Sequence, residues 1–116
     1  MSRERILVVD DEPQILRFLK PSLGAAGYDV ITAETGSEAL KLAALKSPAV
    51  IVLDLGLPDM DGKDVIRKLR TWSKTPIIVL SARDREVEKV EPSWHAGSVR
   101  FRSRALERTW KWHLVK

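Results

Sequence analysis

Cysteine is absent from the 116 residues, which removes disulfides, thiolate nucleophiles and cysteine-zinc sites together. Histidine is scarce. His95 and His113 stand too far apart and too poorly supported to be read as metal ligands, so each is assigned a solvated or packing role. No apolar run approaches the roughly 18 to 20 residues needed to span a bilayer. The charged start, Met1–Arg5, and the acid at Asp10 that breaks the run after it argue against a signal peptide. A cytoplasmic location without a membrane partner is the resulting expectation. What remains is 44% apolar and 31% charged, the balance of a globular chain, and the length suits one domain with a real core.

The formal net charge of +4 hides two compositions. Residues 92–116 carry six Lys/Arg and one acid, Glu107, for a net of +5, which leaves residues 1–91 at −1. Three of the four tryptophans, Trp94, Trp110 and Trp112, also follow residue 92. The chain is therefore divided into a core, 1–91, and an atypical basic tail, 92–116.

Within the core, "RILVVDDEP" holds a β-branched run, Ile6–Val9, that is apolar on both faces and reads as a central parallel strand. Asp11 and Pro13 then read as a helix start. Ile15, Leu16, Leu19 and Leu23 form a helical stripe that Pro21 must distort and Gly24 or Gly27 must end. "YDVITA", "AVIVLDL" and "PIIVLSA" are three further strands, separated by the helical stretches "GSEALKLAALKS" and "KDVIRKLRTW". "DREVEKVE" begins a fourth helix. Strands alternating with helices predict an α/β, doubly wound parallel sheet. No internal repeat competes with this reading.

In such sheets ligands bind beyond the carboxyl ends of the strands. Asp10 and Asp11 end the first strand, Asp54 the third and Ser81 the fourth. Carboxylates brought together raise at least one pKa unless a cation is present. An all-oxygen site of this kind favours Mg²⁺ over zinc. With the metal in place Asp54 can attack a phosphoryl group to give an aspartyl phosphate, and Ser81 can donate to a phosphoryl oxygen. Blander roles exist for each residue. Asp11 can be a helix N-cap worth about 1 kcal/mol, Asp54 a turn acid, and Ser81 a cap for the next helix. Asp59 and Asp61 are assigned to the turn with Gly62.

These residues carry a resemblance. "ILVVDDEP", "DLGLPDMDG" and "PIIVLSAR" resemble the receiver domain of two-component response regulators, of the winged-helix OmpR/PhoB subfamily and the potassium-transport (Kdp) operon regulators within it. The likeness covers residues 5 to about 91. It implies a flavodoxin-like, CheY-like fold with strand order 2-1-3-4-5. It implies Asp54 as phosphoacceptor, Mg²⁺ held by Asp11, Asp54 and the Gly56 carbonyl with Asp10 supporting through water, and Ser81 as the switch hydroxyl beside small Ala82. Pro58 and Gly62 would shape the loop. The implied partner is a sensor histidine kinase, with a homodimer as a further state and transcription regulated by the full-length form. The chain itself would be a phosphoryl acceptor, not an enzyme, with at most weak autophosphorylation and autodephosphorylation.

The tail departs from the pattern. Receiver domains carry a lysine at the end of the fifth strand, where its ammonium contacts the phosphoryl group. Spacing from Ser81 places it near residue 103, which is Ser103, flanked by Arg102 and Arg104. Arginine does not replace it, because its planar fork is longer and differently aimed. Pro92 falls where the fourth helix should continue, at a cost of roughly 3 kcal/mol. Either "SVRFRS" is an edge strand and "ALERTWKWHLVK" a last helix with Leu106, Trp110 and Leu114 inward, or the tail is foreign sequence from a frameshift or deletion. The second origin is favoured, and the two are compatible. The alternative function is a non-switching, receiver-like interaction module. A basic, Trp-containing tail also permits contacts to nucleic acid, but without a recognisable motif no specific DNA binding is expected.

Overall fold

The apolar run Ile6–Val9 takes an interior position in the sheet because both its faces can be covered. The computed structural model describes residues 3–82, 95–100 and 109–115, with 81–82, 95–100 and 109–111 as backbone. Strand β1 (Arg5–Val9) lies between β2 (Asp29–Ala33) and β3 (Val50–Asp54), parallel to both, and β3 pairs in parallel with β4 (Ile77–Ala82). Between these strands run α1 (Pro13–Ala25), α2 (Gly36–Lys46) and α3 (Gly62–Arg70). The doubly wound α/β plan and the strand order 2-1-3-4 are as expected.

Alternation along the strands divides the core between the faces. Leu7, Val9, Ile51, Leu53, Ile77 and Val79 pack with Ala39 and Ala43 of α2 and Val65, Ile66 and Leu69 of α3. On the opposite face Val52, Leu80 and Trp112 meet Ile15, Phe18 and Leu19 of α1. The helix ends follow local chemistry. Pro13 occupies the first turn of α1, where its missing N–H costs nothing. The N-cap of that helix is Glu12, one residue later than Asp11, and it makes no side-chain cap bond. Pro21 is accommodated inside the helix. Thr35 Oγ1 caps α2 by accepting the Glu38 N–H at 3.1 Å, and Ser47 ends that helix in the left-handed region (φ 47°) just before Pro48.

The C-terminal part corrects the expected plan. The last helix is not formed, because Thr109–Val115 is strand β6, antiparallel to β4 through six pairs from Ile77↔Val115 to Ala82↔Trp110. Two periods coexist in this stretch: the helical spacing of Trp110 and Leu114, and the alternation of Trp110, Trp112 and Leu114. The second wins because Thr, Trp and Val favour extended backbone and the open edge of β4 offers a ladder of N–H and C=O groups. Of the expected edge strand over 98–103, only 98–100 fall within a described strand, β5 (His95–Arg100), which is outermost in the order β2-β1-β3-β4-β6-β5 and antiparallel to β6. It therefore pairs with β6 and not with β4. Pro92, Arg102, Ser103, Arg104, Leu106 and the helix expected from residue 84 lie outside the described residues. Among the described residues no helix is long and apolar enough to cross a membrane.

The centre of the sheet bears most of the burial. Leu53 is fully buried in the larger cluster, so Leu53→Ala is expected to destabilise the chain by about 2–5 kcal/mol. Urea denaturation followed by circular dichroism measures this, and a loss below about 1 kcal/mol would contradict the packing described.

Candidate functional site

Parallel strands end on one edge of the sheet, and here two of them, β1 and β3, end at acidic residues. Asp10 follows β1 directly, its N–H still held by the Ala33 carbonyl of β2 at 3.0 Å. Asp54 is the last residue of β3. The register that pairs Val9 with Leu53 brings the two strand ends level. Asp10, Asp11 and Asp54 each place a carboxylate oxygen within 4.8 Å of the others. Asp10 and Asp54 are each only 3% exposed, while Asp11 is open to solvent. Of the blander roles, the N-cap assignment for Asp11 is removed, since Glu12 holds that position.

Burial dominates the electrostatics. It pushes the Asp10 carboxyl up from 3.8 to about 7, with the Asp54 charge as the next cause. The Glu12 N–H, which donates to Asp10 Oδ1 at 2.8 Å, works in the opposite direction but does not offset them. Such a cluster holds more negative charge than its surroundings solvate, which is the condition a hard divalent cation relieves. The donors are all oxygen, so the arrangement suits Mg²⁺-type ions and not thiolate- or imidazole-bound metals.

The loop after β3 is closed on itself. Gly56 bridges to Asp61, and the Gly62 N–H donates to the Leu55 carbonyl at 2.9 Å. A side chain at Gly62 would bring its Cβ within 2.7 Å of Leu55 Cα and 3.0 Å of the Asp54 carbonyl oxygen. Both are backbone atoms that cannot give way, so only glycine lets α3 start this close to the site. Asp61 caps α3 by accepting the Lys63 N–H at 3.0 Å, consistent with its assignment to the turn. The Gly56 N–H donates to Asp54 Oδ1 at 3.2 Å, which places this glycine directly beside the central carboxylate.

One residue does more than the sequence disclosed. Asp59 accepts the N–H groups of Gly36 and Ser37, at 2.7 and 3.0 Å, and these bonds hold its carboxyl below the usual carboxylate range. Its partners are 23 and 22 residues away, so no local signal could have revealed them. Lys111 of β6 stands opposite Ser81 of β4 in the backbone register. That pairing became visible only once 109–115 proved to be a strand. The histidines stay apart from the site. His113 is buried on the α2/α3 side of the sheet, in register with Val79, and His95 pairs with Leu114.

Comparisons with known proteins identify the family of the chain and agree with its fold. The family model described as the response regulator receiver domain matches residues 6–101. The transcriptional regulatory protein KdpE of Mycobacterium tuberculosis is 57% identical over 86 residues, which is 74% of this chain and 38% of that protein. The KDP operon transcriptional regulatory protein KdpE of Escherichia coli K12 is 51% identical over 85 residues, 73% of this chain and 38% of that protein. The chain thus spans well under half the length of these relatives. Among solved structures, the chemotaxis response regulator CheY4 of Vibrio cholerae superposes with a TM-score of 0.63 at 35% identity, covering 66% of each chain. By motif, fold and site, the chain belongs to the response regulator receiver domain family.

Proposed function

We propose that this chain accepts a phosphoryl group on Asp54 from a phosphohistidine of a sensor histidine kinase, with Mg²⁺ held by Asp10, Asp11, Asp54 and the Gly56 carbonyl. The observation that carries the reading is the convergence of Asp10, Asp11 and Asp54 within 4.8 Å at the strand ends. When bound, the cation neutralises charge that develops on the phosphoryl oxygens. An Asp54 oxygen bonds to phosphorus as the P–N bond breaks, and the electron pair leaves on the imidazole nitrogen. The Gly56 N–H steadies the Asp54 carboxylate during this step. Ser81 serves as the switch hydroxyl.

Transcription control by the full-length form, in the cytoplasm, is part of this reading; the KdpE relatives, whose names state transcriptional regulation for them, support its first half. Residues 1–91 would form the phosphoacceptor core and 92–116 the tail that closes its open edge. Two observations favour the alternative, a receiver-like module that does not switch. The strand beside β4 runs antiparallel, and Ser103 stands where spacing from Ser81 sets the family's lysine.

Incubation with acetyl phosphate and MgCl₂ is expected to add one phosphoryl mass to the wild type by intact mass spectrometry. Asp54→Ala should show none. No adduct on the wild type would sink the phosphoacceptor reading in favour of the non-switching module.

A second prediction follows from Asp10. Its folded pKa of about 7 exceeds the unfolded value. The folded state therefore holds that proton more tightly, and stability falls as pH rises from about 4 to about 7, by on the order of 4 kcal/mol. A cation at the site removes this penalty, so 10-millimolar-scale MgCl₂ should raise Tm more at alkaline than at mildly acidic pH. Thermal melts at the two pH values measure it, and an equal rise at both would reject the carboxylate site.

A further inference from the structure

Asp59 sits on the exposed side of the loop after β3, where a turn acid is ordinarily left to water. Its carboxylate instead reaches another element. Oδ1 accepts the Gly36 N–H at 2.7 Å and Oδ2 the Ser37 N–H at 3.0 Å. These are amides of the first turn of α2, which no carbonyl of that helix can reach. Thr35 Oγ1 takes the Glu38 N–H of the same turn, so the cap of α2 is shared between its own N-cap and a residue from a distant loop.

The neighbouring residue reinforces the contact. Met60 lies so close to Gly36 that a β-carbon there would overlap Met60 Cγ and come within 2.7 Å of Met60 Sδ. Gly36 is thus doubly used, as a donor to Asp59 and as a flat seat for Met60. The two contacts fix the tip of the loop against α2.

What happens at the tip is transmitted to the carboxylates because the loop is closed. The Gly56–Asp61 bridge and the Gly62 N–H to Leu55 carbonyl bond join its two ends. Asp61 anchors the far end to α3. These bonds tie the tip of the loop to the end that adjoins Asp54. That end carries Gly56, whose N–H holds Asp54 Oδ1.

We infer that Asp59 is a positioning residue for the cation site: by clasping residues 55–61 to the first turn of α2, it holds the Asp54 carboxylate and the Gly56 carbonyl where a divalent cation can use both. This rests on the metal reading proposed above. Groups that orient metal ligands without touching the metal commonly change affinity by 10-fold or more when removed.

The test is a titration of MgCl₂ into the full ¹⁵N-labelled chain, with the amide signals of Gly56 and Gly62 followed to saturation. Asp59→Ala is expected to weaken the Kd by about 10-fold relative to wild type. Asp59→Asn keeps one acceptor oxygen and the side-chain volume, and should lose roughly half as much on a logarithmic scale. Thr35→Ala removes the helix's own cap but leaves the clasp, so it should lower Tm and leave the Kd alone. A wild-type Kd in Asp59→Ala overturns the inference, whatever its Tm. If that variant does not fold, a wild-type Kd in Asp59→Asn overturns it equally. A wild type that shows no saturable shift overturns the metal reading itself, and the inference with it.

Discussion

The carboxylates of Asp10 and Asp54 are each 3% exposed and share a 4.8 Å neighbourhood with Asp11, so the chain takes like charges out of water and sets them side by side. An uncompensated arrangement of that kind is among the most expensive a small domain can hold. Its cost is visible in Asp10, whose carboxyl is pushed up to about 7 chiefly by burial. Much of the local architecture serves to tolerate it. Backbone N–H groups of Glu12 and Gly56 are turned toward Asp10 and Asp54. Parallel strands with both faces covered hold the strand ends rigidly level. Three carboxylate donors so placed form a set that could hold a metal ion.

The loop that follows Asp54 shows how the load is distributed. One acid, Asp61, caps the helix that follows it in sequence; another, Asp59, caps a helix that precedes it by more than a dozen residues. Gly62 and Gly36 matter for steric reasons, since a side chain at either would collide with Leu55 backbone or with Met60. The acids and glycines of "DLGLPDMDG" therefore act as one framed unit around the phosphoacceptor candidate, each with a separate physical task.

The other side of the site is built differently from the family pattern. The strand lying against β4 comes from the far end of the chain and runs antiparallel, with β5 outside it. This closes the open edge of β4 and contributes His113 and Val115 to one face and Trp112 to the other. Arg70 at the end of α3 ties the arrangement down by donating to the Val115 carbonyl at 3.2 Å. The segment Thr109–Val115 fits this edge because backbone pairing asks for extended conformation and little else.

Much of this was legible in the residues themselves. The apolar runs that set β1, β3 and β4, the helix between each pair, and the placement of Asp10, Asp11, Asp54 and Ser81 at strand ends follow from periodicity and from the rule that parallel strands end on one edge. Those are local properties, or consequences of a topology with few alternatives. The role of Asp59 was not legible, because its partners are 22 and 23 residues away and any turn acid would have read the same. The last seven described residues were misread as helix because helical and alternating periods overlap there, and only an unfilled sheet edge decides between them. Sequence alone determined which residues could form the acidic crevice. Tertiary structure decided what braces it and what lies beside it, since those contacts depend on register and proximity between elements that no local pattern encodes.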